Sequence, residues 1–399
     1  MLLDPVDLLC ELVAIPSVNP MGRVVDGPPY GEARLTDALE SILKRLGVRT
    51  ERQPAEPGRE NLLALLEGEI PAQRGGPLIL FDAHQDTVPV DGMTIDPFRP
   101  ERRDGRVYGR GACDTKGGMA AMIAAVARLA EERPAGMPSI LLACTVNEEY
   151  GFTGAEALAT RLKTPAGGIV PRRPDCALIA EPTGLNVVVA HKGMVRWRCH
   201  TRGRAAHSAH PEAGDNAIYR MARVLSVFEQ YARDEVGQMG AHPLCGSATL
   251  SVGTIQGGVS VNTVPDRCTI EIDRRVLPGE DHHEARRAAI EYVRSALGAE
   301  FPVEHDAANL DGPALSDANN GPLADRLMET IRQTAGPCRR VGVPYGTHAA
   351  VYAAGGVPSV VFGPGHIEQA HTRDEWVAID QLQSAAEIFY EFCRTGWNG

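Results

Sequence analysis

The chain has 399 residues, a formal net charge of −11 and an apolar content of 43%, enough for a large core and for two domains. That acidity argues against nucleic acid or an anionic membrane as the principal partner, and no apolar run approaches the roughly 20 residues a spanning helix needs. The start lacks a basic segment and a cleavage site, and nine cysteines are scattered without a CxxC pair, so a cytoplasmic protein with reduced thiols is expected.

Residues 4–15 read as an amphipathic helix, with Leu8, Leu9, Leu12 and Val13 at helical spacing. A loop dense in Pro and Gly, IPSVNPMGRVVDGPPYG, leads to a second helix over about 31–46 that stops at Gly47. NLLALLEG reads as a strand, and PLILFDAHQD as a buried strand that ends on His84 and Asp86. Residues 106–132, RVYGRGACDTKGGMAAMIAAVARLAEE, run from a β-friendly start through a Gly-rich turn into an Ala/Met-rich helix, with Asp114 at the hinge. SILLACTVNEE then repeats the apolar run followed by acids, Glu148 and Glu149, and PDCALIAEPTG repeats it with Glu181. Apolar strands alternating with helices predict an α/β fold with a mostly parallel, doubly wound sheet. Its functional groups are expected at the carboxyl ends of the strands.

From about residue 191 the rhythm changes to alternating strands. MVRWRCHTRG, the helix NAIYRMARVLSVFEQYARDE, ATLSVGTIQGG, RCTIEIDRRVL, the helix HHEARRAAIEYVRSALG and EFPVEHD follow in the order β-α-β-β-α-β. That order predicts a ferredoxin-like (split βαβ) domain inserted over residues 191–308. The helix GPLADRLMETIRQTAG, the strand VPSVVFGPG and the helix AIDQLQSAAEIFYEFCRT return to the first pattern. The larger domain is therefore discontinuous, 1–190 plus 309–399.

The polar groups at the strand ends carry the chemistry. His84 and Asp86 are two apart, so extended backbone aims them the same way, and a carboxylate commonly holds the second nitrogen of a ligating imidazole. Asp114 can cap the helix that follows or offer one oxygen to each of two cations. Adjacent acids such as Glu148 and Glu149 are commonly a solvated loop, but at the end of a buried strand like charges are costly unless metal or protons compensate. Neighbouring residues project differently, so one can ligate while the other serves as a general base. Glu181 ends its strand in the same way, and His371 follows the turn GPGHIEQ. Such groups gathered in one crevice point to a carboxylate/imidazole metal site, and the absence of Cys from the set suits zinc, cobalt or manganese. Cys113 reads as a small buried hydrophobe.

These residues resemble the dinuclear zinc deacylases and exopeptidases: acetylornithine deacetylase, succinyl-diaminopimelate desuccinylase, aminoacylase and the glutamate-releasing carboxypeptidases. The resemblance rests on AHQDTVP, GRGACDTKGG, NEEYG, AEPTG, GRAAHSAHPEAGDNAI, GGVSVNTVPD, DRRVLPGE and GPGHIEQAHTRDEWV, in register over nearly the whole chain. The last of these looks most like the acetylornithine deacetylase branch. The resemblance implies that Asp114 bridges two Zn2+ ions (Co2+ being the alternative), with His84 and Glu181 completing one site and Glu149 and His371 the other. It implies Glu148 as general base, Asp86 as the residue orienting His84, and His207 as a lid histidine that stabilises the oxyanion in the partner subunit's site. Asn262 and Arg275 would hold the substrate carboxylate, with Gly346, Thr347 and Gly365 lining the pocket. Arg274, beside Arg275, faces the other way by strand alternation. One departure is His348, where the family more often has Asp; His191 and His210 match no metal position.

The resulting expectation is a homodimer, joined through the lid/dimerisation domain at residues 191–308. It would hydrolyse the amide of a small N-acyl-amino acid or short peptide, with succinyl-diaminopimelate desuccinylase or a dipeptidase-type exopeptidase as the alternative. A non-catalytic metal-binding paralogue is the rival from outside enzymes, and the presence of Glu148, Glu149 and His207 counts against it.

Overall fold

The three apolar strands that end on polar residues lie side by side in the structure, a computed structural model that describes residues 2–25, 27–164, 168–394 and 397. Their sheet has eight strands in the order Arg49–Glu56, Arg59–Leu66, Ser139–Thr145, Leu78–His84, Cys176–Ile179, Ser359–Val361, Val187–His191 and Arg340–Val343. The four central strands, Ser139–Thr145 to Ser359–Val361, run parallel. Arg59–Leu66 and Val187–His191 flank them antiparallel. Parallel strands are buried on both faces and so read as continuous apolar runs. Leu78–His84 and Ser139–Thr145 are buried at every position.

Alternate residues of these strands feed one core. Ile79, Phe81, Ala83, Ile140 and Leu142 pack with side chains of the helices Pro5–Val13, Ala33–Arg45, Lys116–Glu132, Gly321–Thr334 and Ile379–Arg394. Phe81 meets Phe389 with ring centroids 5.3 Å apart. Residues of the opposite phase, such as Leu80 and Leu141, are equally buried, so both faces of the sheet are covered. Burying a Leu or Phe side chain is worth about 1.5–3 kcal/mol, so this core holds the strand ends in fixed register.

The chain divides into two compact units, residues 1–189, 317–341 and 347–399 in one and 190–316 with 342–346 in the other. In the second, four antiparallel strands take the order Thr249–Gly257, Arg267–Val276, Gly193–Arg202 and Val303–Gly312. The helices Ala217–Asp234 and His282–Leu297 complete the split βαβ pattern, capped by the side chains of Asn216 and Asp281. Along Arg267–Val276 burial alternates, so Cys268, Ile270 and Ile272 join Trp197 and Phe228 in a separate core. Residue 308, where the sequence placed the return to the first domain, falls inside the strand Val303–Gly312. That strand pairs with Gly193–Arg202, and pairing rather than composition sets the end of the unit.

Several elements were not read from the sequence, among them the helices Thr153–Lys163 and His348–Ala354 and the strands Val187–His191 and Arg340–Val343. Arg49–Glu56 is a strand at the sheet edge whose residues are mostly polar and half-buried. A small sheet joins Trp376–Ala378, Arg106–Tyr108 and Glu101–Arg103. Among the described residues no helix is long and apolar enough to cross a membrane, and no cysteine is joined in a disulfide.

Candidate metal centre

His84 is the last residue of its strand and is buried. Its Nδ1 lies 2.9 Å from the backbone carbonyl of Asp86, which can only accept, so Nδ1 donates there and Nε2 is the nitrogen left to face the acidic groups. Nε2 lies 3.0 Å from Asp114 Oδ1 and 3.8 Å from Glu181 Oε1. The other oxygen of Asp114, Oδ2, lies 3.2 Å from His371 Nε2, which is also 3.2 Å from Glu149 Oε2. Asp114 thus presents one oxygen to the pair His84/Glu181 and the other to the pair Glu149/His371. Its helix-capping alternative does not occur: the helix begins at Lys116, Thr115 stands at the cap, and no side chain bonds to the first turn.

Small residues let this loop approach the strand ends. A Cβ on Gly118 would meet Ala180 Cβ at 2.7 Å, and one on Gly117 would meet the Ala112 carbonyl oxygen at 2.5 Å. Only glycine allows that contact, and it brings Asp114 beside Glu181. Lys116 is buried behind the loop and donates to the carbonyls of Leu12 and Ile15 at 3.0 and 2.7 Å, tying the first helix to the site.

The carboxylate of Asp86 faces His84 and also holds the Glu148–Glu149 turn. It stands 3.7 Å from His84 Nδ1, and accepts from the backbone N–H groups of Glu148 and Glu149 at 3.1 and 3.0 Å and from Asn19 Nδ2 at 2.7 Å. His84 is oriented by the backbone carbonyl of Asp86, and the side chain orients the Glu148–Glu149 turn. Asn147, at φ +61°, starts this turn; its amide oxygen accepts from Asn19 at 2.9 Å, and its NH2 donates to Glu56 and Thr153 at 3.0 Å each. Asn19 and Asn147 were not singled out from the sequence. Their SVNP and VNEE settings mark turns and carry no further signal.

Charge is concentrated here. Burial, reinforced by repulsion from Asp114, pushes the Glu149 carboxyl up to about 7, and Glu148 and Glu181 are driven well above the usual carboxylate range by burial and by their acidic neighbours. Burial opposes the charge on Asp114 too, but His371 and His84 hold it well below that range. Burial lowers the pKa of His371, yet Asp114 and Glu149 outweigh it and raise it to about 11. Carboxylates crowded in this way call for positive charge, and the donors are imidazole nitrogen and carboxylate oxygen without thiolate. Ligand atoms of His84, Asp114 and Glu149 lie within 4.8 Å of one another, as do those of His84, Glu148 and Glu181. That set fits divalent cations of the zinc, cobalt or manganese type.

His207 and Asn262 are exposed in the second unit and close together, with His207 paired to Thr263 and Ser208 N–H donating to the Asn262 carbonyl at 3.0 Å. Arg274 is buried and bonded to Glu280 at 2.7 Å, while Arg275 lies on the opposite strand face and pairs with Asp273 at 2.7 Å. Thr347 is buried and caps the helix His348–Ala354, and Gly346 precedes it. Gly365, at φ +85°, packs where a Cβ would meet Cys113 Sγ at 2.6 Å. Cys113 is buried, and burial pushes its thiol well above the ordinary range. His348 is buried against Asp82, 2.9 Å away, with the Phe152 ring edge-on at 5.3 Å.

Residues 80–395 match the profile of Peptidase family M20/M25/M40. The acetylornithine deacetylase of Myxococcus xanthus is 31% identical over 385 residues, covering 94% of this chain and 92% of that protein. The chain belongs to peptidase family M20/M25/M40. It is a metal-dependent amidohydrolase of that family. The fold is that of an M20 metallo-carboxypeptidase from Sulfolobus solfataricus, with a TM-score of 0.79 at 18% identity, covering 98% of each chain. A dinuclear metal-binding peptidase of the M20 family from Bacillus subtilis has a TM-score of 0.68 at 18% identity, covering 98% of this chain and 97% of its own.

Proposed function

We propose that the chain removes the acyl group of a small N-acyl-amino acid, with N-acetylornithine as the leading substrate, using two Zn2+ ions that Co2+ can replace. The observation that carries this reading is the division of Asp114, one oxygen towards His84 and Glu181 and the other towards Glu149 and His371. The curated relative named acetylornithine deacetylase supports the substrate, and the family neighbour described as a dinuclear metal-binding peptidase supports two ions. Held by these residues, a pair of divalent cations would supply Lewis-acid chemistry, lowering the pKa of a water and polarising the scissile carbonyl.

Glu148 takes the proton of the attacking water and returns it to the leaving amine. A carboxyl raised towards neutrality suits both halves of that transfer, and the direction of the Glu148 shift agrees. Asp86 keeps Glu148 in place through the two backbone N–H groups it accepts from. His207 supplies a donor to the oxyanion in the partner subunit's site. Asn262 and Arg275 hold the substrate carboxylate, for which a guanidinium is suited by its paired donors, and Gly346, Thr347 and Gly365 line the pocket.

A homodimer formed through the second unit completes the reading. Tyr219, Ile255, Val259 and Val261 are 71%, 54%, 94% and 101% exposed, and among the described residues Thr249–Gly257 is the edge strand of its sheet. Exposed apolar groups beside an open strand edge favour a partner surface. Nine cysteines without a disulfide among the described residues favour a reducing, cytoplasmic setting. The test is a panel of N-acetylornithine, other N-acetyl-amino acids, N-succinyl-diaminopimelate and dipeptides, scored by released amine from the zinc-loaded protein. Release confined to N-acetyl substrates supports the reading. Preference for the succinyl substrate or for dipeptides would replace it with the desuccinylase or exopeptidase alternative.

A further inference from the structure

The tail of the motif HTRDEW does not end its work at His371. Glu375, four residues on, is fully buried, and its carboxylate is enclosed by four donors from the loop that carries Asp114. Oε1 accepts from the backbone N–H groups of Cys113 and Asp114 at 2.9 and 3.0 Å. Oε2 accepts from Gly111 N–H at 3.1 Å and from Arg110 Nη1 at 2.7 Å, and Arg110 is itself buried. The backbone joins in: Gly109 N–H donates to the Glu375 carbonyl at 3.0 Å, continuing the ladder in which Trp376 pairs with Tyr108.

These contacts connect two stretches of chain that sequence separates by some 260 residues, as the 261-residue spacing of Glu375 from Asp114 states. One stretch bears Asp114, the other His371. His371 lies at φ +60°, a conformation that residues with a Cβ keep only where the surroundings hold it. Its side chain is half exposed, whereas that of His84 is 2% exposed. The His84/Glu181 side is therefore fixed by the sheet itself, and the Glu149/His371 side depends on how the two loops are held together.

We propose that Glu375 is a positioning residue for the second cation: by clamping the 109–114 loop to the 371–375 segment, it sets the distance between Asp114 Oδ2 and His371 Nε2. The inference rests on the two-cation reading above. Outer groups that orient metal ligands typically contribute about 10- to 100-fold to affinity. Glu375→Gln keeps the size of the side chain but turns an NH2 towards two donors. Glu375→Asp keeps the charge opposite Arg110 but is one methylene too short to reach all four.

The test is titration of the metal-free full-length protein with Co2+, following the visible absorption of the bound ion together with metal content after dialysis. Wild type is expected to take two ions. Both Glu375 variants are expected to hold the first ion within about threefold of wild type and the second about 10- to 100-fold more weakly. Leu43→Ala, a core truncation in the helix Ala33–Arg45, serves as a destabilised control and should keep both affinities. Unchanged second-ion affinity in the variants would overturn the proposal. So would a wild-type result for Glu375→Asp, which would leave charge alone as the cause, or an equal weakening of both ions that the Leu43→Ala control shares. If Glu375→Gln does not fold, Glu375→Asp decides. Wild type taking fewer than two ions would instead refute the two-cation reading.

Discussion

Asp86→Asn separates two accounts of the same residue. In the structure its carboxylate accepts from Glu148 N–H through Oδ1 and from Glu149 N–H and Asn19 Nδ2 through Oδ2, in a fully buried position. Asparagine keeps one acceptor oxygen and replaces the other with a donor. Whichever way the amide turns, at least one buried N–H then faces NH2 and loses its partner, at a cost of about 1–3 kcal/mol. At roughly 1.4 kcal/mol per tenfold in rate, a misplaced Glu148 should lower kcat by about 5- to 150-fold. KM should stay within about threefold, because the substituted group acts on the base rather than on substrate binding. The backbone carbonyl that accepts from His84 is untouched, so two ions should still bind. Steady-state kinetics on the best amide, with metal content measured on the same sample, gives both numbers. Loss of the His84-side ion with normal turnover by the remaining fully loaded molecules would refute this assignment and restore the direct His84–carboxylate role. An unchanged kcat would refute it as well.

Other expectations follow from single groups. Glu148→Gln should cut kcat by about 100- to 10,000-fold with both ions retained, and loss of an ion in elemental analysis would make Glu148 a ligand. His207→Ala should lower kcat by about 100- to 1,000-fold without changing metal content; normal turnover would remove it from the mechanism. In the second unit, His305 Nδ1 accepts from Trp197 Nε1 at 3.1 Å, and burial with Arg286 nearby lowers its pKa to about 4. The unfolded imidazole titrates near ~6.5, so the unfolded state takes up the proton first as pH falls. The contribution is complete above about pH 6.5 and is lost progressively towards about pH 4, with a ceiling of roughly 3 kcal/mol. Melting followed by tryptophan fluorescence at both ends of that window should show a larger acid loss for wild type than for His305→Asn, and equal losses would contradict this.

Legibility of the site followed burial. His84, Glu148, Glu149 and Glu181 could be picked out because each closes an apolar run, where an uncompensated charge is costly, and Asp114 because it stands at the hinge of a strand-to-helix loop, after the small residues Gly109, Gly111 and Ala112. The parallel centre of the sheet was legible for the same reason, as its strands are apolar on both faces. Contacts made to backbone N–H groups leave no such mark. The carboxylate of Asp86 reaches Glu148 and Glu149 through their main chain, and that of Glu375 reaches Gly111, Cys113 and Asp114 likewise. In sequence Glu375 sits in the charged run HTRDE and reads as a solvated turn. The strand Arg49–Glu56 was missed because an edge strand that is only half-buried needs no apolar alternation. At His348 the sequence showed only a departure from the family's more usual Asp, and a long-range partner, Asp82, holds its side chain inside the protein.

The most direct test of the account removes and restores the cations. The protein is stripped by a chelator until no metal is detectable, and Zn2+ is returned in steps while released amine and bound metal are followed together on the best N-acyl-amino acid. The account predicts that turnover disappears with the metal and returns to a plateau at about two equivalents. Turnover that survives verified metal removal, or none from any amide with two ions bound, would contradict it.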